Sequence, residues 1–190
     1  MLATHNPGKL KEFRALFQDA PFNLIAYPKK GEIVKETGAT YLENARLKAH
    51  WVAKTMGCLA LADDSGVEVD ALEGLPGIHT ADFVSQIAWE NTREILRRLL
   101  TVPDSKRTAR MRATLCLAWP DGQDVFCEGV LEGRILGWPK GRHGFGVDPV
   151  FSLDGRRSLA ELSPDEKNRI SHRALAAQAL LEKLTSYKLS

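Results

Sequence analysis

Thr4, His5, Asn6, Pro7, Gly8 and Lys9 stand in one unbroken run that combines a hydroxyl, an imidazole, an amide and an ammonium around a glycine. The apolar Met1, Leu2 and Ala3 before them read as the stub of a buried strand, and the residues after them as a helix. A strand-to-helix turn offers free backbone amides and the positive end of the helix dipole, a combination suited to an anion such as phosphate. Gly8 permits close approach, and Lys9 adds a point charge. It is not a Walker A loop, because the second glycine and the Gly-Lys-Ser/Thr ending are missing. A capped helix whose lysine faces solvent shows the same residues, so the turn alone leaves both readings open.

Asp63 and Asp64, followed by Ser65 and Gly66, put two adjacent carboxylates at the end of the apolar run from Cys58 to Ala62. If the strand persists, their side chains point in opposite directions, so that one faces a site while the other is structural. Acidic groups at a buried strand end are costly unless paired or bound to a cation. Mg2+ suits such a place, since it takes one or two carboxylates and completes its shell with phosphate oxygens and water. Glu36, in the polar loop ahead of the next helix, is a second ligand candidate. Glu43 is already explained by its place in a helix cap. An Asp-Asp-Ser-Gly tetrapeptide is also a common turn. Lys48 reads as solvated surface unless a phosphate site is assembled beside it.

The third cluster is Gly144, Phe145, Gly146, Val147 and Asp148, with Ser171, His172 and Arg173 downstream. It can set an aromatic ring and bare backbone against a flat ligand, while Asp148 offers acceptors to ring or sugar donors. His172 and Arg173, at a helix start, can donate to a carbonyl oxygen. Separately, Gly-Phe-Gly is a tight loop and Ser-His-Arg is a cap followed by charge.

The elements that must position these clusters follow from periodicity and caps. Asn6 as N-cap and Pro7 at the first helical position start a helix whose buried face is Leu10, Phe13, Leu16 and Phe17. Thr40 and Glu43 match a capping box, Leu42, Ala45, Ala49, Val52 and Met56 give the apolar side, and Gly57 ends that helix. Cys58 to Ala62 predicts a strand covered on both faces. After the turn at Gly74 to Gly77, Glu90 to Leu100 predicts a helix. Ala109 to Ala118 and Val125 to Val130 predict a hairpin turning at Asp121-Gly122. Ser163, Pro164 and Glu166 start another helix, and Ser171 begins the terminal one, expected to pack through Leu175, Ala179, Leu180 and Leu184. Strands interspersed with helices define an α/β class, with a mixed sheet because the hairpin is antiparallel.

The 190 residues fit one domain, or two small lobes sharing a core. A net charge of +2 excludes a strongly basic, sequence-independent nucleic-acid binder. The basic stretch through Lys106, Arg107, Arg110 and Arg112 alternates with apolar residues and reads first as the solvated face of a strand. Cys58, Cys116 and Cys127 form no C-x-x-C pair and are expected as reduced thiols. No apolar run reaches bilayer length and no signal-peptide core is seen, so neither a membrane nor a nucleic acid is expected as partner, and the cytoplasm is the expected location.

In this order the clusters resemble the noncanonical purine nucleoside triphosphate pyrophosphatase family, also called inosine triphosphate pyrophosphatases. The resemblance runs through Leu2 to Phe13, Glu36 to Ala45, Lys48-Ala49, Ala62 to Gly66 and Pro76-Gly77-Ile78. It continues through Gly144 to Phe151, Ala160-Glu161-Leu162, Glu166-Lys167 and Ser171-His172-Arg173, and covers nearly the whole chain. It implies a single domain over residues 1–190, with a long mixed sheet flanked by helices, two lobes, a nucleotide cleft and a homodimer. The implied reaction converts a nucleoside triphosphate and water to the monophosphate and pyrophosphate, acting on inosine, deoxyinosine and xanthosine triphosphates and so cleansing the nucleotide pool. It further implies substrate contacts from Thr4, His5, Asn6, Pro7, Gly8, Lys9, Lys48, Ser65 and Lys167. Glu36 and Asp64 become ligands of Mg2+, with Asp64 also the proton acceptor. Phe145, Gly146, Val147, Asp148, His172 and Arg173 would hold the base.

Some positions depart from that pattern. Asp82 stands where the family carries a cation, Val147 replaces an aromatic, Ala174 replaces a glycine, and the segment after Phe83 is shortened. The phosphate and metal residues are complete, so hydrolysis is the expectation. Competing readings are a pyrophosphatase for pyrimidine or other modified nucleotides, and a nucleotide-binding sensor without chemistry. The full set Lys9, Glu36, Lys48 and Asp64 argues against the sensor, which needs no proton acceptor.

Overall fold

The computed structural model describes residues 1–20, 22–28 and 34–187. In chain order the elements are α1 (Pro7–Leu16), α2 (Tyr41–Met56), β1 (Ala60–Val69), β2 (Pro76–Gly77), α3 (Ala88–Arg98) and β3 (Thr108–Ala118). They continue with β4 (Asp124–Ile135), β5 (Phe151–Ser152), α4 (Pro164–Ile170) and α5 (His172–Tyr187). The strands form a five-stranded antiparallel sheet in the order β2-β1-β3-β4-β5. Parallel pairing enters at Leu2, which bridges both Ala26 and Leu61. Those bridges realise the strand stub read from Met1 to Ala3 and make the sheet mixed at that edge.

The chain divides into two compact units, each assembled from separated segments. The first comprises residues 1–64, 113–129 and 172–190; the second comprises residues 65–112 and 130–171. In the first unit, Phe13 and Phe17 of the α1 region pack with Leu61, Leu115, Leu117, Ala176, Ala177 and Leu180. A second cluster there joins Ala45, Ala49, Val52 and Ala53 of α2 to Ala60, Ala62, Cys116 and Ala118. The core of the second unit gathers Val67, Val69, Ile95, Leu99, Met111, Ile135 and Phe151.

The helix starts follow from their caps. Asn6 Oδ1 accepts from the amides of Gly8 and Lys9 at 2.9 and 3.2 Å, and Pro7 occupies the first helical turn. Thr40 Oγ1 accepts from Glu43 N, while the Glu43 carboxylate reaches Ala39 N, one residue ahead of the cap. Ser163 and Glu166 complete a reciprocal capping box on α4. In α5 the buried face is Arg173, Ala176, Ala177 and Leu180, with Leu184 partly buried. Leu175, expected in the core, is 39% exposed because the face that buries is the one carrying Arg173. Gly129 of β4 permits this seating: a Cβ there would fall 2.1 Å from the carbonyl oxygen of His172.

The strand through Asp63 is longer than its apolar run. β1 covers ten residues and carries the polar cluster in its interior, not at its end. The neighbouring basic stretch is a paired surface. Arg110 contacts Asp70 and Glu132 at 3.0 and 3.1 Å, and Arg112 contacts Glu68 at 3.1 Å. The three cysteines are free thiols.

Phe13 is fully buried among the aromatic and aliphatic side chains of the first unit. Phe13→Ala is expected to cost about 3–5 kcal/mol of folding stability through the cavity it leaves, as read by urea unfolding.

Candidate active site

Strand alternation sorts the two aspartates. Because β1 runs on to Val69, successive side chains leave opposite faces. Asp63 Oδ2 meets Lys9 Nζ at 2.7 Å and Arg173 Nε at 3.3 Å. Arg173 also reaches Glu12 at 3.1 Å, so two carboxylates and two cations form one chain. Burial works against the charge on Asp63, but Lys9 and Arg173 overcome it and hold its carboxyl well below the usual carboxylate range. Burial draws the Lys9 ammonium below its ordinary range, although Asp63 pulls the other way. Asp63 is therefore an anchor for the lysine of the opening turn.

Asp64 turns to the other partner set. Its Oδ1 lies 2.9 Å from Lys48 Nζ, and the same ammonium reaches Glu36 Oε1 at 3.1 Å and the Asp63 carbonyl at 2.9 Å. Lys48 is buried, yet its neighbours outweigh desolvation and hold its ammonium above the usual range. Burial pushes the Asp64 carboxyl up to about 6; Lys48 opposes that rise and Glu36 adds to it. A carboxylate of raised basicity beside cations is suited to take a proton from water.

Lys48 arises one helical turn beyond Asn44, so α2 directs both side chains to the same side. Thr4 Oγ1 accepts from Asn6 N at 3.2 Å and so shapes the opening turn. His5, Asn6 and Pro7 are exposed there, and Gly8 and Lys9 half-buried. Two of the amides expected to be free at the start of α1 are held by the Asn6 side chain. Thus the first unit brings together Thr4, Asn6, Lys9, Glu36, Lys48, Asp64 and Arg173, and also contains the buried His172.

Ser65, Phe145, Gly146, Val147, Asp148 and Lys167 lie in the second unit. Asp148 is buried and accepts from Phe145 N at 2.7 Å, which closes the 144–148 turn. Lys167 pairs with Asp148, and its ammonium sits 5.1 Å from the Phe145 ring centroid. Thr92 Oγ1 donates to the Gly146 carbonyl at 3.2 Å. Val147 belongs to the core of this unit. Ser65 is half-buried within β1. Asp82 is exposed, 3.8 Å from His79.

Two residues of the first cluster escaped sequence reasoning. Glu12 sits mid-helix and carries no motif signal beyond its place in Leu10-Lys11-Glu12-Phe13. Asn44 was masked by the helix pattern around it, though a polar residue between Leu42 and Ala45 on a buried stripe was the available clue.

The residues fit a divalent cation of the Mg2+ type. Two carboxylates, Glu36 and Asp64, converge on a single cationic position, and Glu36 is exposed enough to turn. No group of three or more His, Cys, Asp or Glu side chains forms a ready-made cage among the described residues. Two carboxylates completed by phosphate oxygens and water is the arrangement Mg2+ favours.

This acidic and cationic centre suits a phosphorylated ligand held with a divalent cation. The chain matches the Ham1 family over residues 1–183, and it belongs to that family. It is 42% identical over 184 residues to a protein of Symbiobacterium thermophilum named dITP/XTP pyrophosphatase, covering 97% of this chain and 93% of that one. A Bacillus subtilis protein of the same name is 40% identical over 185 residues, covering 95% and 93%. Among solved structures, a HAM1 protein from Coxiella burnetii superposes with a TM-score of 0.84 at 36% identity, covering 97% of both chains.

Asp63 provides a test of the anchor. A folded-state acidity below the unfolded value of about 3.9 means the ionised form stabilises the fold above that pH, and the contribution is lost as pH falls through the folded value. Asp63→Asn is expected to cost about 1–3 kcal/mol at neutral pH by removing the carboxylate that Lys9 and Arg173 share. Its unfolding free energy should decline less steeply than that of the parent protein between pH ~4 and ~2, as measured by urea titration at each pH.

Proposed function

We propose that this protein hydrolyses noncanonical purine nucleoside triphosphates, such as deoxyinosine, inosine and xanthosine triphosphates, to the monophosphate and pyrophosphate. The observation that carries this reading is the convergence of Glu36, Lys48 and Asp64 beside the Lys9–Asp63 pair, all within one unit. The relatives named dITP/XTP pyrophosphatase support the same substrate class.

In this proposal the turn from Thr4 to Lys9 grips the phosphate tail, and Asp63 fixes Lys9 for that purpose. Asp64 accepts the proton of the water that attacks the α-phosphorus. Lys9 and Lys48 offset charge that grows on the phosphate oxygens. Glu36 and Asp64 would hold Mg2+, which when bound supplies further neutralisation of those oxygens. Ser65 and Lys167 are further proposed contacts. The 145–148 turn, with His172 and Arg173, is proposed to take the base. A cytoplasmic homodimer is the proposed form of the enzyme, and among the described residues no helix is long and apolar enough to cross a membrane.

Incubation with inosine triphosphate and Mg2+ should release pyrophosphate and inosine monophosphate, separated by ion-exchange chromatography; release of inorganic phosphate would overturn α-attack. Across a nucleotide panel, turnover of UTP comparable to that of inosine triphosphate would defeat the purine assignment. Asp64→Asn should lower kcat by about 10²–10⁴-fold while calorimetry still detects nucleotide binding, because it removes the proton acceptor and keeps the side-chain shape.

A further inference from the structure

Asn44 is 3% exposed, on the buried side of α2 one turn before Lys48. Its side chain bridges two segments that are distant in sequence. Asn44 Oδ1 accepts from Gly38 N at 2.8 Å, and Asn44 Nδ2 lies 3.5 Å from Asp64 Oδ2. The backbone amide of Gly38 requires an acceptor, so the amide group is oriented without ambiguity and its nitrogen must face the carboxylate. The second contact is long, as hydrogen bonds of catalytic groups often are before substrate binds.

The contact with Gly38 is tightly fitted. A Cβ at Gly38 would fall 2.7 Å from Asn44 Oδ1 and 2.6 Å from Glu43 Cβ. Ala39 N donates to Glu43 Oε2 at 2.6 Å. The segment just after Glu36 is thereby fastened to the first turn of α2. Asp64 is gripped from the same helix, with Oδ1 at Lys48 and Oδ2 toward Asn44.

We propose that Asn44 is a positioning residue that sets the Glu36 segment and the Asp64 carboxylate in mutual register, so that both carboxylates address one divalent cation. The proposal rests on the reading of Glu36 and Asp64 as the cation ligands. Lys48 also touches both carboxylates, but as a compact point charge it fixes charge more than direction. A planar amide with one donor and one acceptor in use fixes orientation.

The test uses Mn2+ as a Mg2+ substitute, bound to the full-length protein without nucleotide and followed by electron paramagnetic resonance. Partners that orient ligands in this way change metal affinity or activity by about 10–100-fold when removed. Asn44→Ala should weaken Mn2+ binding by about that factor and reduce kcat for inosine triphosphate similarly, with KM changed by less than about threefold. Gly38→Ala, which leaves Asn44 intact, should reproduce the loss of Mn2+ affinity by forcing the segment off the helix. Parent-like Mn2+ affinity and kcat in folded Asn44→Ala and Gly38→Ala proteins would overturn the positioning role. If the parent protein binds Mn2+ but releases no pyrophosphate, the functional reading fails while the Mn2+ comparison still decides the role of Asn44.

Discussion

Two consecutive aspartates in the interior of one strand are the constraint on which the first unit is built. Asp63 and Asp64 are both buried, 3% and 5% exposed, and neither charge survives there without a partner. Strand alternation denies them a shared partner, so the surroundings supply two separate sets. Lys9 and Arg173 come from the first and last helices to serve Asp63; Lys48 and Asn44 come from α2 to serve Asp64. Three helices are tied in this way to one backbone step of β1. The packing of Phe13, Val52 and Leu180 supplies the bulk of the burial, while the ionic partners fix where each helix must point.

The two halves of that arrangement serve opposite ends. Around Asp63 burial is outweighed by Lys9 and Arg173, and its carboxyl is held below the ordinary range. Around Asp64 burial prevails and its carboxyl rises to about 6. Adjacent residues of the same type thus become an inert tether and a basic group. The difference is made by neighbours, since Asp63 faces two cations whereas Asp64 shares its single lysine with Glu36. Such divergence between paired acids is how a fold assigns structural and chemical duties to identical side chains.

Much of this was legible in the chain, and the limits have physical reasons. Caps at Asn6, Thr40 and Ser163 marked helix starts correctly because capping is local chemistry, fixed within four residues. The hairpin was found for the same reason. β1 was underestimated because Asp, Ser and Gly are poor strand formers and its continuation depends on pairing with β2 and β3, which no local pattern records. Leu175 was misassigned because the buried face of the terminal helix also carries Arg173, whose contact with Asp63 spans 110 positions of sequence. Arg173 itself was read as a donor to a base, and its engagement by Asp63 and Glu12 could not be anticipated from Ser-His-Arg alone. Lys167 and Asp148 were both singled out, but their pairing with each other is a property of the fold.

Lys48 has one more implication. By sitting within 3.1 Å of both Glu36 and Asp64, it gives the acidic pair a built-in counter-ion. Repulsion between those carboxylates is therefore already relieved by the polypeptide itself. In the proposed Mg2+-dependent form, a chelating buffer would silence the enzyme without unravelling it, and returning the ion would restart it with no refolding step.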